Sequence, residues 1–227
     1  MKTKILFALT SHDRKGDTGQ PTGFYAPEAA HPWAPLRDAG YRIDFVSPKG
    51  GRAPMEGGEL DDAVLRAFLS DPEVQANLTS TARPEAIDPA DYAAILFVGG
   101  HGTMWDFPDD AGLARIALAV HEAGGVVGAV CHGPSALVNL RLADGRYLVA
   151  GKRVAAFTDD EERAAGLAEV VPFLLASTLA QRGATHVPAP NWQANVIVDG
   201  HLVTGQNPAS AAGVGREMAR LLGPAAR

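Results

Sequence analysis

The chain has 227 residues, of which 46% are hydrophobic, and its formal net charge is −6 at pH 7. This length can bury the core of one α/β domain, whereas the acidic balance argues against a nucleic-acid partner, because such partners are bound through clusters of Lys and Arg. No apolar run in the sequence approaches the roughly 20 residues that span a bilayer. A single cysteine excludes an intrachain disulfide and fits a reducing compartment, so we expect a cytoplasmic protein without a membrane partner.

Strand-like and helix-like segments alternate along the chain. Continuous or alternating apolar runs predict strands, and apolar residues at helical spacing predict helices. In chain order we predict a strand at 2–10, a glycine-rich loop at 16–23, a helix at 27–39, a strand at 42–47, a helix at 59–70 built on Leu60, Val64, Leu65 and Phe68, a strand at 93–98, a helix at 110–123 and a strand at 125–130. There follow a helix at 172–182, a hairpin of 194–198 and 201–204 with a type I′ turn at Asp199-Gly200, and a closing helix at 209–222.

Strands separated by helices imply a mostly parallel sheet that is covered on both faces. Ligands of such sheets bind beyond the carboxyl ends of the strands. The first, third and fourth predicted strands end at Thr10, at 99–102 and at Cys131, so we expect these positions to meet in one crevice. The proline-containing stretch 71–91 is interpreted as an insertion or cap and not as a domain boundary.

Cys131 follows the apolar run 125–130 and precedes Gly133 and a helical pattern. This order is typical of a strand, a sharp turn and a helix, which is the cysteine counterpart of the serine nucleophile elbow. Small residues at Ala129 and Gly133 fit an elbow that brings these two positions together. A thiol at a helix N-terminus is stabilised as thiolate by the dipole, and His132 offers a neighbouring imidazole. The alternative is a small buried hydrophobe, the common state of a lone cysteine.

The other histidines show no metal-ligand spacing of the H-x-x-x-H or H-E-x-x-H type. They are His12, His31, His101, His121, His186 and His201. Scattered histidines of this kind are commonly surface or hydrogen-bonded structural residues. Neither a metal nor any other cofactor is therefore predicted.

Several segments, in order along the chain, resemble the ThiJ/PfpI superfamily within the class I glutamine amidotransferase-like folds. They are 22–32 (TGFYAPEAAHP), 99–103 (GGHGT) with 106–108 (DFP), 129–134 (AVCHGP), 156–162 (AFTDDEE) and 204–210 (TGQNPAS). Within the superfamily, the chain is most similar to the branch of glutathione-independent glyoxalases (glyoxalase III, also called D-lactate dehydratase) and heat-shock chaperones. The resemblance implies a flavodoxin-like three-layer α/β/α sandwich with a mostly parallel central sheet and a nucleophile elbow. It also implies a single domain over 1–227 with a small cap insertion at about 50–91.

The resemblance implies catalytic roles for four residues. Cys131 would be the nucleophile and His132 the general base, which Glu162 would orient. Glu28 would face the thiol and move a proton, because partial burial raises the pKa of a carboxyl group. From the residues alone, Glu28 reads equally well as a first-turn helix acid, and Glu161 competes with Glu162 as the triad acid.

Gly100, His101 and His132 would bind the substrate, with backbone N–H groups of Gly100 and His132 at an oxyanion. The implied reaction converts methylglyoxal, a small 2-oxoaldehyde, to lactate through a hemithioacetal on Cys131. It needs no cofactor because the redox change is internal. A homodimer is also implied. The alternatives are a cysteine peptidase or amidase with the same residue types, a holding chaperone in which Cys131 is incidental, and a glycation-repair protein.

Overall fold

The computed structural model describes residues 2–59 and 61–225. Its strands are β1 (Lys4–Ala8), β2 (Phe24–Tyr25), β3 (Arg42–Val46), β4 (Met55–Glu56), β5 (Tyr92–Phe97), β6 (Val126–Val130), β7 (Arg153–Val154), β8 (Thr185–His186), β9 (Val196–Asp199) and β10 (Leu202–Gly205). Its α-helices are α1 (Ala26–Asp38), α2 (Ala63–Ser70), α3 (Pro72–Thr79), α4 (Thr103–Asp106), α5 (Ala111–Glu122), α6 (Asp159–Ala164), α7 (Leu175–Gln181) and α8 (Ala211–Leu222). Among the helices of these two ranges, none is both long and apolar enough to cross a membrane.

Six strands form the central sheet in the order β3-β1-β5-β6-β10-β9. The first five of these strands are parallel, and β9 runs antiparallel to β10 at the edge. Without β9, this is the flavodoxin-like order 2-1-3-4-5, in which ligands bind beyond the carboxyl ends of the strands. The predicted α/β fold with a mostly parallel sheet is confirmed.

Alternate residues of β1 face opposite sides of the sheet, as the strand period of two requires. Ile5 and Phe7 belong to the core cluster that includes side chains of α1, α2 and α8. Leu6 and Ala8 belong to the cluster that includes side chains of α5 and α7. All four residues are completely buried. Helices therefore cover both faces of the sheet, which gives the three-layer sandwich.

Residues 50–91 contain β4, α2 and α3. Side chains of α2 and α3 belong to the core cluster on the α1 side of the sheet, whereas Ile87 belongs to the cluster on the α5 side. Phe68 of α2 is completely buried and meets the ring of Trp33 in α1 edge-on, with ring centroids 5.5 Å apart. His31 Nε2 of α1 lies 2.9 Å from Asp62 Oδ2, at the start of α2. The role of this region as a cap, and the single-domain division over 1–227, remain predictions.

Two predicted helices begin three or four residues later in the structure. The helix predicted from residue 59 begins at Ala63, because the Asp62 side chain caps it by accepting the Leu65 N–H at 2.8 Å. Leu60 lies outside the described residues. The helix predicted at 172–182 is α7, which begins three residues later.

The element after Cys131 and the hairpin turn also differ from the predictions. The helix predicted after Cys131 is a five-residue 3₁₀ helix, Gly133–Leu137, which aligns few peptide dipoles behind the thiol. The hairpin turn consists of Gly200 and His201, because Asp199 pairs with Leu202 across the two strands. Of these two turn residues only Gly200 has a positive φ, at 61°, whereas a type I′ turn requires two. The type I′ prediction is therefore wrong.

Candidate active site

Cys131 directly follows β6, and its φ of 58° lies in the left-handed region that non-glycine residues rarely adopt. Such a conformation costs roughly 1–3 kcal/mol and persists where the surroundings fix it. The Cys131 N–H donates to the Gly205 carbonyl at 2.9 Å, and the Cys131 carbonyl accepts the Phe157 N–H at 2.9 Å. The neighbouring segments therefore hold a strained turn that places the thiol at the carboxyl end of the sheet.

Two glycines allow backbone segments to approach the elbow closely. A Cβ on Gly133 would lie 2.2 Å from the carbonyl oxygen of Phe97, and a Cβ on Gly99 would lie 2.9 Å from the Cβ of Cys131. Position 133 therefore requires glycine, because the end of β5 approaches it too closely for any side chain. The approach of Ala129 to Gly133 stays a prediction.

A chain of hydrogen bonds links the thiol to a buried carboxylate. His132 Nδ1 lies 3.3 Å from Cys131 Sγ, and His132 Nε2 lies 2.7 Å from Glu162 Oε2. Burial alone would raise the pKa of Glu162, but hydrogen bonds from His101 and His132 outweigh burial and hold the pKa at about 2. Because an ionised carboxylate only accepts hydrogen bonds, Nε2 carries the proton and Nδ1 presents its lone pair to the thiol.

His132 is neutral in the resting site. Burial lowers its pKa to about 4, and electrostatic repulsion from His101 acts in the same direction, against the hydrogen bond and attraction of Glu162. A neutral imidazole can accept a proton at neutral pH, and the fixed tautomer directs that capacity to Nδ1. The ring is therefore set up as a base toward Cys131.

His101 is held by the same carboxylate as His132. Its Nε2 lies 2.9 Å from Glu162 Oε1, and the two imidazole centroids are 4.0 Å apart. The turn before His101 needs glycine, because Gly100 has a φ of 110° and a Cβ there would lie 2.4 Å from a neighbouring carbonyl oxygen. Thr103 Oγ1 donates toward the carbonyls of Gly100 at 2.9 Å and His132 at 3.0 Å, which joins this turn to the elbow.

The two adjacent glutamates of α6 have different partners. Glu161 accepts the Thr158 N–H at 3.0 Å and closes a capping box at the start of the helix. It also accepts the Trp192 N–H and the Asn207 side-chain amide, both at 2.8 Å. Glu162 instead faces the two imidazoles. The geometry thus brings Glu162, and not Glu161, to the histidine next to the thiol. The residues of the sequence alone had left both glutamates open as the partner of this histidine.

Glu28 lies in the first turn of α1 and is completely buried, whereas partial burial was predicted. Within residues 2–59 and 61–225, neither of its carboxyl oxygens has a hydrogen bond of ordinary geometry. Burial raises the pKa of Glu28 to about 8, although weaker interactions with the Cys131 side chain and the Gly99 backbone lower it. Glu28 is therefore mostly protonated at pH 7, even though a helix N-terminus favours the charged form.

The thiol itself is also neutral at rest. Burial raises the pKa of Cys131 well above the ordinary value for a thiol, and the charge of an ionised Glu28 raises it further, whereas the backbone N–H of His132 lowers it. The predicted dipole-stabilised thiolate is wrong for the resting site, because burial outweighs a short 3₁₀ helix. A nucleophilic role would therefore require the thiol to lose its proton during the attack.

A cavity of about 390 Å³ opens onto the thiol. Its lining includes the predicted site residues Glu28, Gly100, His101, Cys131 and His132. It also includes residues that the sequence did not single out, among them Lys15, Tyr25, Glu56, Phe157 and Trp192. These come from five separate segments. Tyr25 and Phe157 lie in segments of the family resemblance, but no spacing between the five residues indicates a common cavity. A larger groove of about 620 Å³, lined mainly by residues of 50–91 and the loop after β1, contains no candidate site residue.

His101, His132 and Glu162 also offer ligand atoms that lie within 4.8 Å of one another. Two imidazole nitrogens and a carboxylate suit a divalent transition metal. The three residues come from different segments, so no ligand spacing in the sequence marks them as a group. Because the same atoms already share hydrogen bonds at 2.7 and 2.9 Å, a bound metal would have to replace those bonds.

Residues 21–221 match the model of the DJ-1/PfpI family. The chain is 35% identical to Glyoxalase 3 of Candida albicans over 225 residues, which cover 92% of this chain and 93% of that protein. It is 34% identical to Glutathione-independent glyoxalase HSP31 of Saccharomyces cerevisiae, again over 92% of this chain and 93% of that protein. The crystal structure of glyoxalase III from Candida albicans superposes on the chain with a TM-score of 0.89 at 31% identity, covering 97% of each chain. The range matched by the family model contains every candidate site residue.

Proposed function

The chain belongs to the DJ-1/PfpI family, as its motifs predicted, and we propose that it is a glutathione-independent glyoxalase that converts methylglyoxal to lactate on Cys131. One observation supports this assignment most directly. A protonated Glu28 and a neutral His132, oriented by an ionised Glu162, meet at one thiol. An internal redox reaction needs such a set, since protons must be both removed and supplied within the site.

The first step joins the thiol to the aldehyde. Cys131 Sγ bonds to the aldehyde carbon, and its proton passes to His132 Nδ1, which lies 3.3 Å away. The carbonyl electron pair moves to the aldehyde oxygen, where the backbone N–H groups of Gly100 and His132 would stabilise the charge. His132 then gives its proton to that oxygen, which completes the hemithioacetal and restores the neutral imidazole.

The second step moves hydrogen from C1 to C2. His132 removes the C1 proton, the electron pair forms the C1–C2 double bond, and Glu28 protonates the former ketone oxygen. His132 then delivers its proton to C2, and Glu28 takes back a proton from the C1 hydroxyl, which leaves a thioester of lactate. C1 is oxidised and C2 is reduced by the same electron pair, and both residues return to their resting protonation states.

The last step releases the product. Water attacks the thioester carbon, the bond from carbon to Cys131 Sγ breaks, and His132 transfers the proton of the water to the departing sulfur. Lactate leaves and the thiol is restored. Across the three steps methylglyoxal gains one water, and no glutathione or nicotinamide is consumed.

The proposal is tested by incubating the purified, glutathione-free protein with methylglyoxal and measuring lactate with a chiral assay. We expect lactate to form in proportion to the protein added. A second run in heavy water, read by NMR, reports whether the hydrogen at C2 comes from C1 through His132. Absence of lactate under these conditions would contradict the assignment.

The same geometry of Cys131, His132 and Glu162 favours a second candidate, a cysteine peptidase or amidase. A hydrolase of this type needs no acid at the position of Glu28, whereas the glyoxalase steps require one. Hydrolysis of peptide anilides or amides that persists in Glu28→Gln would favour the hydrolase.

We also propose a homodimer in the cytoplasm, as the family resemblance implies. Light scattering on the eluting protein tests the first part, and cell fractionation tests the second. The holding chaperone and the glycation-repair protein remain predicted alternatives, and aggregation assays with Cys131→Ala would separate a cysteine-independent chaperone activity from the enzyme.

A further inference from the structure

Trp192 is an unusual residue of the cavity wall. Its side chain is 52% exposed, which makes it one of two exposed large hydrophobic residues in the described part of the chain. Its φ of 65° is in the left-handed region, which a bulky residue rarely adopts. Strained positions of this kind concentrate at ligand clamps and active sites, where the surrounding structure fixes them.

Buried polar groups hold Trp192 in this conformation. Its N–H donates to Glu161 Oε1 at 2.8 Å, and the same oxygen accepts Asn207 Nδ2 at 2.8 Å. Asn207 Nδ2 also donates to the Gln193 carbonyl at 2.8 Å, so the residue after Trp192 is anchored as well. Glu161 precedes Glu162 in α6, which ties the position of the indole to the catalytic side of the helix.

Aromatic rings run from the rim of the cavity to the thiol. The ring of Phe157 lies 5.7 Å from that of Trp192 and 4.3 Å from that of His132, between ring centroids. Two charges of the cavity lining are paired, since Lys15 Nζ lies 2.8 Å from Glu56 Oε1, and the exposed Glu59 is a further member of the lining, outside the contact between the two rings. This wall therefore suits an uncharged, flat substituent.

The cavity is also much larger than the smallest 2-oxoaldehydes. Its volume of about 390 Å³ lies within the range of ~300–1,000 Å³ found for sites of drug-sized ligands. When the aldehyde carbon is bonded to Cys131, the substituent on the adjacent carbon must extend into the remaining space. A methyl group leaves most of that space unfilled.

We propose that the site takes 2-oxoaldehydes with an aryl substituent, and that Trp192 and Phe157 form the surface on which the aryl ring packs. This inference rests on the proposed glyoxalase function and names its substrate class. Trp192 is then a specificity-determining residue, because it contacts the substituent and not the reacting carbons.

The test compares kcat/KM for methylglyoxal, phenylglyoxal and cyclohexylglyoxal, which matches phenylglyoxal in bulk without aromaticity. We expect phenylglyoxal to be preferred over methylglyoxal by at least about tenfold, with cyclohexylglyoxal between them. In Trp192→Ala, kcat/KM for phenylglyoxal should fall about tenfold, mainly through KM, and that for methylglyoxal should fall less than about threefold. Trp192→Phe should restore most of the preference.

Met55→Ala is the matched control, because Met55 is the other exposed large hydrophobic residue and lines the neighbouring groove. It should leave the substrate preference unchanged. The hydrogen bond to Glu161 uses the backbone of Trp192, so the variants keep it, and thermal unfolding checks that they fold.

Equal losses on all three substrates in Trp192→Ala, or no aryl preference in the unaltered protein, would overturn the inference. Turnover of methylglyoxal without an aryl preference would leave the proposed function standing. Turnover of none of the three would overturn the proposed function and this inference together.

Discussion

The start of α1 and the start of α6 each bring a buried glutamate to the same thiol and imidazole, yet the two carboxyl groups rest in opposite charge states. Glu162 faces two imidazoles, and its pKa is held at about 2. Glu28 has no hydrogen bond of ordinary geometry in the part of the chain that is described, and burial raises its pKa to about 8. Burial is common to both, so the hydrogen-bond partners decide the charge. One region holds a fixed negative charge, and the other holds the proton that the proposed reaction would move.

Removal of the thiol on which both regions act should give the largest effect. Cys131→Ala should lower lactate formation by at least about 10⁴-fold, because no covalent intermediate can form. The volume change is small, so we expect a modest change in thermal stability. Lactate assays and thermal unfolding of the same preparation check both parts. Unchanged turnover by a folded Cys131→Ala protein would remove the nucleophile from the mechanism.

The fixed charge of α6 is tested by Glu162→Gln. A neutral amide can donate to His132 Nε2, which would turn the Nδ1 proton toward the thiol and remove the base. We expect kcat to fall about 10³-fold, in line with the loss of a tautomer-fixing acid. Glu161→Gln is the neighbouring control, and it should reduce thermal stability through the capping box while lowering kcat far less. Similar losses of kcat in both variants would mean that the two glutamates are not functionally distinct.

The mobile proton of α1 is tested by Glu28→Gln, which keeps the shape of the side chain. We expect kcat to fall about 10²-fold, the usual cost of losing a general acid. Because the proposed role of Glu28 needs its protonated form, the activity of the unaltered protein should fall as the pH rises through about 8. The residual activity of Glu28→Gln should lack this decline. The pH profile of kcat measures this difference. An unchanged alkaline decline in Glu28→Gln would mean that a group other than Glu28 causes the decline.

The frame of the site could be predicted from the sequence because it depends on local patterns. The strand before Cys131, the glycine turn at Gly100 and the order of strands and helices all leave periodic or spacing signals. The resemblance to a known family added Glu28 and Glu162, which local chemistry could not separate from ordinary helix acids. The type of the helix after Cys131 was predicted wrongly, since a short 3₁₀ helix and not an α-helix follows the elbow.

The charge states could not be predicted, because they depend on contacts between distant segments. The low thiol pKa expected from a helix dipole was wrong, because burial and the neighbouring Glu28 raise it. Complete burial of Glu28 leaves no trace in its own sequence neighbourhood. The conformation of Trp192 likewise depends on Glu161, which is 31 residues away along the chain.

The smallest predicted effect measures the cost of the buried Glu28 carboxyl group directly. The pKa of Glu28 is about 8 in the folded protein and 4.5 as its reference value. Between these values the folded state binds more protons than the unfolded state, so the free energy of unfolding should decrease as the pH rises. The stability from a protonated Glu28 is complete below about pH 4.5 and is lost as the pH rises through about 8. From about pH 5.5 to 7, at about 1.4 kcal/mol per pH unit, the unaltered protein should lose about 2 kcal/mol relative to Glu28→Gln.

Asp106, whose pKa burial raises to about 6, and His132 are present in both proteins and cancel in the difference. Urea unfolding at several pH values measures this difference, and Glu85→Gln, at an exposed position, should show less than about 0.5 kcal/mol at every pH. A difference between Glu28→Gln and the unaltered protein that stays constant with pH would mean that Glu28 is ionised in the folded state, and the contrast with Glu162 would disappear.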